Sequence, residues 1–187
     1  MLTQTHCIER DSLRILLLSD THGYVDPNIA SLSERCEIAI HAGDVMDAQV
    51  LNQLKPKSHV FAVAGNNDST GLWCSSLKRV VTQLPHVIRL ELPTGAIAVE
   101  HGHRFGFRQP DHDKLREAHS DARLIVYGHT HKQVIEQESE PWIANPGAAG
   151  RVRNQGAPRC LVLNAGASEW VIESFIVAQD STVLSQM

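Results

Sequence analysis

One kind of chemistry recurs at five separated places in the sequence: Asp20-Thr21-His22, Gly43-Asp44, Gly65-Asn66-Asn67-Asp68, His101-Gly102-His103 and Gly128-His129-Thr130-His131. These side chains offer imidazole nitrogen, carboxylate oxygen and amide oxygen, with no thiolate among them. That mixture suits borderline or hard divalent metals such as Mn, Fe, Co, Ni or Zn. Asp20 and His22 are two apart, as are His101 and His103, and His129 and His131. In a locally extended segment this spacing puts both side chains on one side, where a pair can grip one ion or two neighbouring ions. Asp44 is a natural bridge, because a carboxylate has two oxygens for two cations. Singly, a Gly-Asp or His-x-His is more often a turn or a satisfied histidine than a ligand set. Five such blocks, each closing an apolar run, make a stronger pattern.

The runs that must position them are short and rich in β-branched residues: Leu13 to Ser19, Glu37 to Ala42, His59 to Gly65, Ala96 to Gly102 and Arg123 to Gly128. Each is too short for a helix and nearly continuous in apolar residues, as expected of strands buried on both faces. Helical spacing lies between several of them. The segment PNIASLSERC starts on Pro27, DAQVLNQL has Asp47 as N-cap, and PDHDKLREAHS begins with Pro110 and acidic residues. The stretch RLELPTGAIAVE reads as a hairpin, and the chain after His131 reads as β throughout. The expected fold is therefore α/β, with two mixed sheets packed on each other and helices outside. Loops at the carboxyl ends of such strands are where ligand sites collect.

The 187 residues suit a single domain over 1–187, with flexible ends expected at 1–12 and about 180–187. A formal charge of −4 and the lack of a Lys/Arg run speak against a nucleic-acid polymer or a membrane surface as partner. Cys7, Cys36, Cys74 and Cys160 form no CxxC pair and are expected as buried or half-buried free thiols in a reducing compartment. The polar, acidic N-terminus is unlike a signal peptide, and a cytoplasmic location is expected. Trp142 and Trp170, taken as exposed, suggest a homodimer or homotetramer, while Trp73 and Phe105 are candidates for the rim of the site.

The order of the blocks, DxH, GD, GNxD, HGH and GHTH, resembles the calcineurin-like metallophosphoesterase superfamily, in particular its short bacterial and archaeal phosphodiesterase branch. The resemblance runs from about Leu13 to beyond Asn145, where NPGAAGRVR is similar to that branch's NPGS segment. It implies a four-layer αββα sandwich and two divalent metal ions, manganese first, with Ni, Fe, Zn or Co as alternatives. By that likeness Asp20, His22 and His131 hold the first ion and Asp44 bridges. Asn66, His101 and His129 hold the second. The implied activity is hydrolysis of small phosphodiesters by a metal-activated water. The alternatives are a phosphomonoesterase or a non-catalytic binding scaffold, since the superfamily includes a trafficking subunit of the same fold.

The neutral Asn66 adds no negative charge where a phosphate must land. Departures from the family pattern matter as well. Where many members carry a His that protonates the leaving oxygen, this chain has Asn67, and an amide is no general acid at neutral pH. Good leaving groups are therefore expected to be favoured. His103 is the candidate for leaving-group protonation or phosphate contact. An arginine that precedes the GN block in some relatives is Ala64 here, and the Ser of NPGS is Ala148. His41 is read as a supporting residue and Asp68 as one that orients a ligand histidine. His6, His59, His86, His112 and His119 are read as surface or satisfied histidines.

Overall fold

Alternate residues of the first long apolar run serve two different interiors, and this determines the layering. The computed structural model describes residues 2–73, 78–151, 153, 155–177 and 183–186. Strand β2 (Leu13–Leu18) sends Leu13, Ile15 and Leu17 into a core shared with a second sheet, and Leu16 and Leu18 to the opposite face, under helices. Strand β3 (Ile38–His41) does the same, with Ile38 and Ile40 on one side and Ala39 on the other. A strand covered on both faces needs apolar residues at nearly every position, hence the nearly continuous runs.

The elements follow as β1 (Thr3–Cys7), β2, α1 (Pro27–Ser33), β3, α2 (Ala48–Gln53), β4 (His59–Ala62), α3 (Lys78–Val81), β5 (Val87–Leu92) and β6 (Gly95–Glu100). A 3-10 turn (His103–Phe105) leads to α4 (His112–Ala118), then β7 (Leu124–Val126), β8 (Gln133–Glu136), β9 (Trp142–Pro146), β10 (Arg159–Ala165), β11 (Trp170–Val177) and β12 (Val183–Gln186). One sheet has the order β1-β5-β6-β7-β9-β8 and the other β12-β11-β10-β2-β3-β4. Between them lies a core that includes Ile15, Leu17, Ile40, Leu90, Ile97, Leu124 and Val126. Outside the second sheet, Ile29 of α1 and Val50 of α2 pack on Leu16 and Leu18. Outside the first, Leu115 of α4 packs with Ile125, Tyr127 and Ile143. This is the expected αββα sandwich. The helices are short, and they start where the N-cap carboxylates of Asp26, Asp47 and Asp111 accept backbone N–H bonds. Helices of this length owe their stability to the apolar face they bury.

Strands β2, β3 and β4 run parallel, as do β6 and β7, so their carboxyl ends emerge at one edge of the sandwich. The ladder between β2 and β3 extends into the loops beyond them. Asp20 N–H donates to Gly43 O (3.0 Å), His22 N–H to Asp44 O (3.0 Å) and Gly23 N–H to Val45 O (2.8 Å). The loop after β4 is tied in by one carboxylate. Asp68 accepts from the backbone N–H groups of Val45 (3.1 Å), Met46 (2.8 Å) and Gly65 (2.9 Å), and from Trp73 Nε1–H (3.2 Å). Asp68 thus holds backbone rather than orienting a histidine as the sequence suggested, and Trp73 is buried beneath it rather than at a rim.

Other expectations need correction. Thr3–Cys7, read as a flexible end, forms an edge strand parallel to β5, with Thr3 opposite Val87 and Cys7 opposite Glu91. Its polar side chains alternate between exposed and half-buried, which suits an edge and hides it from a hydrophobicity reading. Val183–Gln186 likewise pairs with β11. Trp170 is 3% exposed, donates from Nε1 to Thr94 Oγ1 (2.9 Å) and carries the Arg123 guanidinium 4.6 Å above its ring. It supplies no assembly surface, and the half-buried Trp142 packs against the inter-sheet core. Cys36 and Cys160 are buried free thiols and Cys7 is exposed; Cys74 lies outside the described residues. Among the described residues no helix is long and apolar enough to cross a membrane.

Two substitutions separate core from brace. Ile40→Ala, at a site with no exposure, is expected to cost about 2–5 kcal/mol in urea unfolding while leaving metal affinity near wild type. Asp68→Ala strands three backbone N–H groups and an indole, and is expected to cost about 2–4 kcal/mol and to weaken metal binding as well. Equal metal affinity in the two variants would contradict the bracing role.

Candidate metal centre

The ligand-type residues lie just beyond the strands, and the backbone there is left-handed. Asp20 (φ 53°), His22 (φ 46°), Asp44 (φ 56°), His129 (φ 71°) and His131 (φ 58°) all have positive φ, as does Met46 (φ 60°). The i, i+2 pairs therefore do not converge because the chain is extended, as the spacing suggested. They converge because each segment turns sharply at the sheet edge. A left-handed residue with a Cβ costs about 1–2 kcal/mol, less for Asp and His than for branched residues. Such strain concentrates at functional sites. Two glycines let the segments close on each other. A Cβ on Gly65 would lie 2.2 Å from Asp44 Oδ1, and one on Gly43 would lie 2.6 Å from His101 Nδ1.

All seven residues named as ligands by the family likeness meet in one cluster. One ligand atom each from Asp20, His22 and His131 lie within 4.8 Å of one another, and so do those from Asp20, Asp44 and His101. His22 Nε2 stands 3.1 Å from His131 Nε2. Asn66 Oδ1 stands 3.1 Å from His101 Nε2 and 3.0 Å from His129 Nδ1. The outward ring nitrogens are committed elsewhere. His101 Nδ1–H donates to Ala42 O (2.8 Å) and His129 Nε2–H to Phe107 O (2.7 Å), while His22 Nδ1 faces Met46 Sδ (3.1 Å). Carbonyls only accept, so the neutral rings of His101 and His129 turn lone pairs toward Asn66 Oδ1, itself an acceptor. Crowded lone pairs call for a positive charge among them, whether a proton or a metal ion. Asp20 Oδ1 makes the same demand, being buried with no hydrogen-bond partner among the described residues. The donor set and its outer hydrogen bonds thus fit a divalent metal.

Titration behaviour agrees. Burial pushes the Asp20 carboxyl up to about 7, against the charge of His101 and the Ser19 hydroxyl bond. Burial would raise Asp44 too, but the bond from His101 and its charge, with the two Asn67 donors, hold it well below the usual carboxylate range. His101 goes the other way. Burial lowers it, yet the Asp44 bond and the charges of Asp20 and Asp44 raise it to about 9. His22, His103 and His129 are all lowered, in each case chiefly by burial.

Asn67 donates from its backbone N–H to Asp44 Oδ1 (2.8 Å) and from Nδ2 to Asp44 Oδ2 (2.6 Å), so its amide is spent on positioning Asp44. His103 is half-buried, its ring centroid 5.5 Å from that of His101 and 6.2 Å from that of His129. His41 is wholly buried and held down to about 3 by that burial; its Nε2 lies 2.9 Å from Thr21 Oγ1, between the candidate ligands Asp20 and His22. Asn145 Nδ2 donates to Gly128 O (2.6 Å) and steadies the turn into His129. A cleft of about 410 Å³ opens over the cluster, lined by Asp44, Asn66, Asn67, Phe107, Arg108, His129, Thr130 and Arg153. Its aromatic rim residue is Phe107, not Phe105, which packs inward on the α4 side. Sequence reading missed Met46, Phe107, Arg108 and Arg153. Phe107 and Arg108 follow the HGH block within five residues, the one local signal that could have found them.

Comparison with known proteins agrees with this geometry. The sequence profile described as the calcineurin-like phosphoesterase superfamily domain matches residues 13–168. A phosphodiesterase of Methanocaldococcus jannaschii is 26% identical over 147 residues, which cover 72% of this chain and 83% of that protein. A probable metallophosphoesterase of Mycoplasma pneumoniae is 27% identical over 150 residues, covering 75% and 82%. Among solved structures, a Vps29 single mutant from Entamoeba histolytica superposes with a TM-score of 0.75 at 17% identity, over 92% of this chain and 97% of that one. A novel archaeal phosphodiesterase gives 0.64 at 23% identity, over 86% and 99%. These last two likenesses speak for the fold, and the profile match extends from β2 through β10 and over all five blocks that carry candidate ligands. The chain belongs to the calcineurin-like phosphoesterase superfamily.

Proposed function

We propose that the chain is a phosphodiesterase that hydrolyses small phosphodiesters at a centre of two divalent ions. The carrying observation is the meeting of ligand-type atoms at two adjacent points, His22 Nε2 with His131 Nε2 and Asn66 Oδ1 between His101 and His129. Asp44 sits between them, 3.8 Å from His22 Nε2 and 3.4 Å from His101 Nε2. In this reading Asp20, His22 and His131 hold one ion, Asn66, His101 and His129 the other, and Asp44 both. When bound, such a pair of ions lowers the pKa of a water and neutralises charge on the phosphoryl oxygens.

The chain's own residues supply position. Asn67 fixes both oxygens of Asp44, and Ala42 and Phe107 fix the rings of His101 and His129 through their carbonyls. With its amide committed to Asp44, Asn67 gives no proton to a leaving oxygen, so aryl and other stable leaving groups react best. The relative named as a phosphodiesterase supports the diester over the monoester. A small phosphoester is the partner, and manganese is the first ion to test.

The test is to remove metal with a chelator, restore Mn, Ni, Zn or Fe singly, and compare a bis-aryl phosphate with an aryl monophosphate. Turnover of the diester should return with metal and fall by roughly 100-fold or more in Asp44→Ala. No turnover with any metal, or full turnover in Asp44→Ala, would refute the enzyme reading, and a preference for the monoester would refute the diesterase assignment. His129→Ala and His131→Ala should each lower bound metal from about two ions per chain to about one, at different sites. Unchanged metal content in both would rule out the ligand assignment.

A further inference from the structure

The cleft over the cluster carries a charge that phosphodiester hydrolysis alone does not require. Of the eight residues that line it, Arg108 and Arg153 are cationic and Asp44 is the one carboxylate. This stands against a chain whose formal charge is −4. In the reading above, two divalent ions against Asp20 and Asp44 leave two surplus positive charges, and a phosphodiester brings one negative charge. The two guanidinium groups widen that surplus. A substrate with a further phosphate narrows it.

The two arginines are uncommitted in complementary ways. Arg108 makes no hydrogen bond or ion pair with the described residues. Arg153 has Nη2 3.3 Å from His131 Nε2, a nitrogen whose lone pair a metal ion would take. A guanidinium only donates, so it cannot share that lone pair with a cation. Two further arginines nearby in the chain are committed elsewhere. The Arg151 guanidinium lies 3.8 Å above the Tyr24 ring, and Arg159 donates to the carbonyls of Ala157 and Gln155. Planar, permanently charged forks are the side chains best matched to phosphate oxygens.

Beside Arg108 stands Phe107, 89% exposed, the most exposed of the large apolar side chains among the described residues. Its backbone is nevertheless fixed. The carbonyl accepts from His129 Nε2–H at 2.7 Å, and the turn is closed by the Asp111 N–H bond to Phe105 O (3.1 Å). A Cβ on Gly106 would lie 2.1 Å from Gln109 O, so the turn is tight. An aromatic ring held at the mouth of a cationic cleft is a stacking surface for a planar group, and base–aromatic stacking tolerates any nucleobase.

From this arrangement we infer that Arg108, Arg153 and Phe107 select a nucleotide diester carrying a second phosphate. The arginines bind the phosphate that is not cleaved and Phe107 stacks on the base. The inference rests on the phosphodiesterase reading, and the experiment keeps the two apart. Protein restored with an active metal is given two esters with the same leaving group: methyl p-nitrophenyl phosphate, and thymidine 3′,5′-bisphosphate esterified with p-nitrophenol on its 5′-phosphate. Turnover of the methyl ester tests the phosphodiesterase reading alone. Wild-type kcat/KM should favour the bisphosphate ester. Arg108→Gln and Arg153→Gln should each reduce that preference roughly tenfold or more, mainly through KM. Phe107→Ala should reduce it about fivefold or more.

Calorimetry with thymidine 3′,5′-bisphosphate on the manganese-loaded protein gives a second readout that needs no turnover. Affinity should fall in all three variants, and the salt dependence should flatten in the two glutamine variants. Equal losses on both esters, or unchanged affinity for the bisphosphate in the arginine variants, would overturn the inference.

Discussion

Seven lone-pair donors are forced together at a sheet edge where solvent cannot keep them apart, and much of the structure follows from that. Asp20, Asp44 and His101 are nearly without exposure, and acceptors there face one another at hydrogen-bond distance. Such packing is unfavourable unless a positive charge sits among the donors, because buried polar groups left unpaired cost about 1–3 kcal/mol each. The same need appears as opposite titration shifts in neighbours, with Asp20 pushed up by burial and His101 held up by its carboxylate partners. A cation relieves all of these at once.

Keeping that arrangement requires a rigid frame. Five left-handed Asp and His residues in one cluster carry a conformational cost that the rest of the domain must offset. The frame is the pair of sheets, whose strands β2, β3, β6 and β7 are buried on both faces. The loops beyond them are closed by backbone bonds from Asp20, His22 and Gly23 and by the four donors gathered on Asp68. The site is thus strained locally and supported broadly.

How much of this was legible in the sequence follows from what kind of signal each part leaves. The layered fold was readable because strands buried on both faces must be nearly continuous in apolar residues, as in Leu13–Leu18 and Ile38–His41. The ligand set was readable because metal chemistry restricts residue types. Their geometry was not, since Asp20 and His22 look alike in sequence whether the backbone is extended or left-handed. Thr3–Cys7 was missed because an edge strand may expose polar side chains without penalty. Asp68 was given the wrong partner: a carboxylate in a ligand block suggests a histidine, while three backbone N–H groups leave no mark in a sequence. Arg153 lies far from every ligand block in the chain and reaches the cleft only through the loop between β9 and β10.

His129 joins two regions of different character. Its Nδ1 faces Asn66 within the cluster of candidate ligands and its Nε2 grips the loop that carries Phe107 and Arg108, but the grip is on a backbone carbonyl. Any residue at position 107 presents that carbonyl. The side chains at the mouth of the cleft are therefore free to change in evolution without disturbing the His129 ring, so the chemistry of the mouth can drift while the cluster beneath it stays fixed.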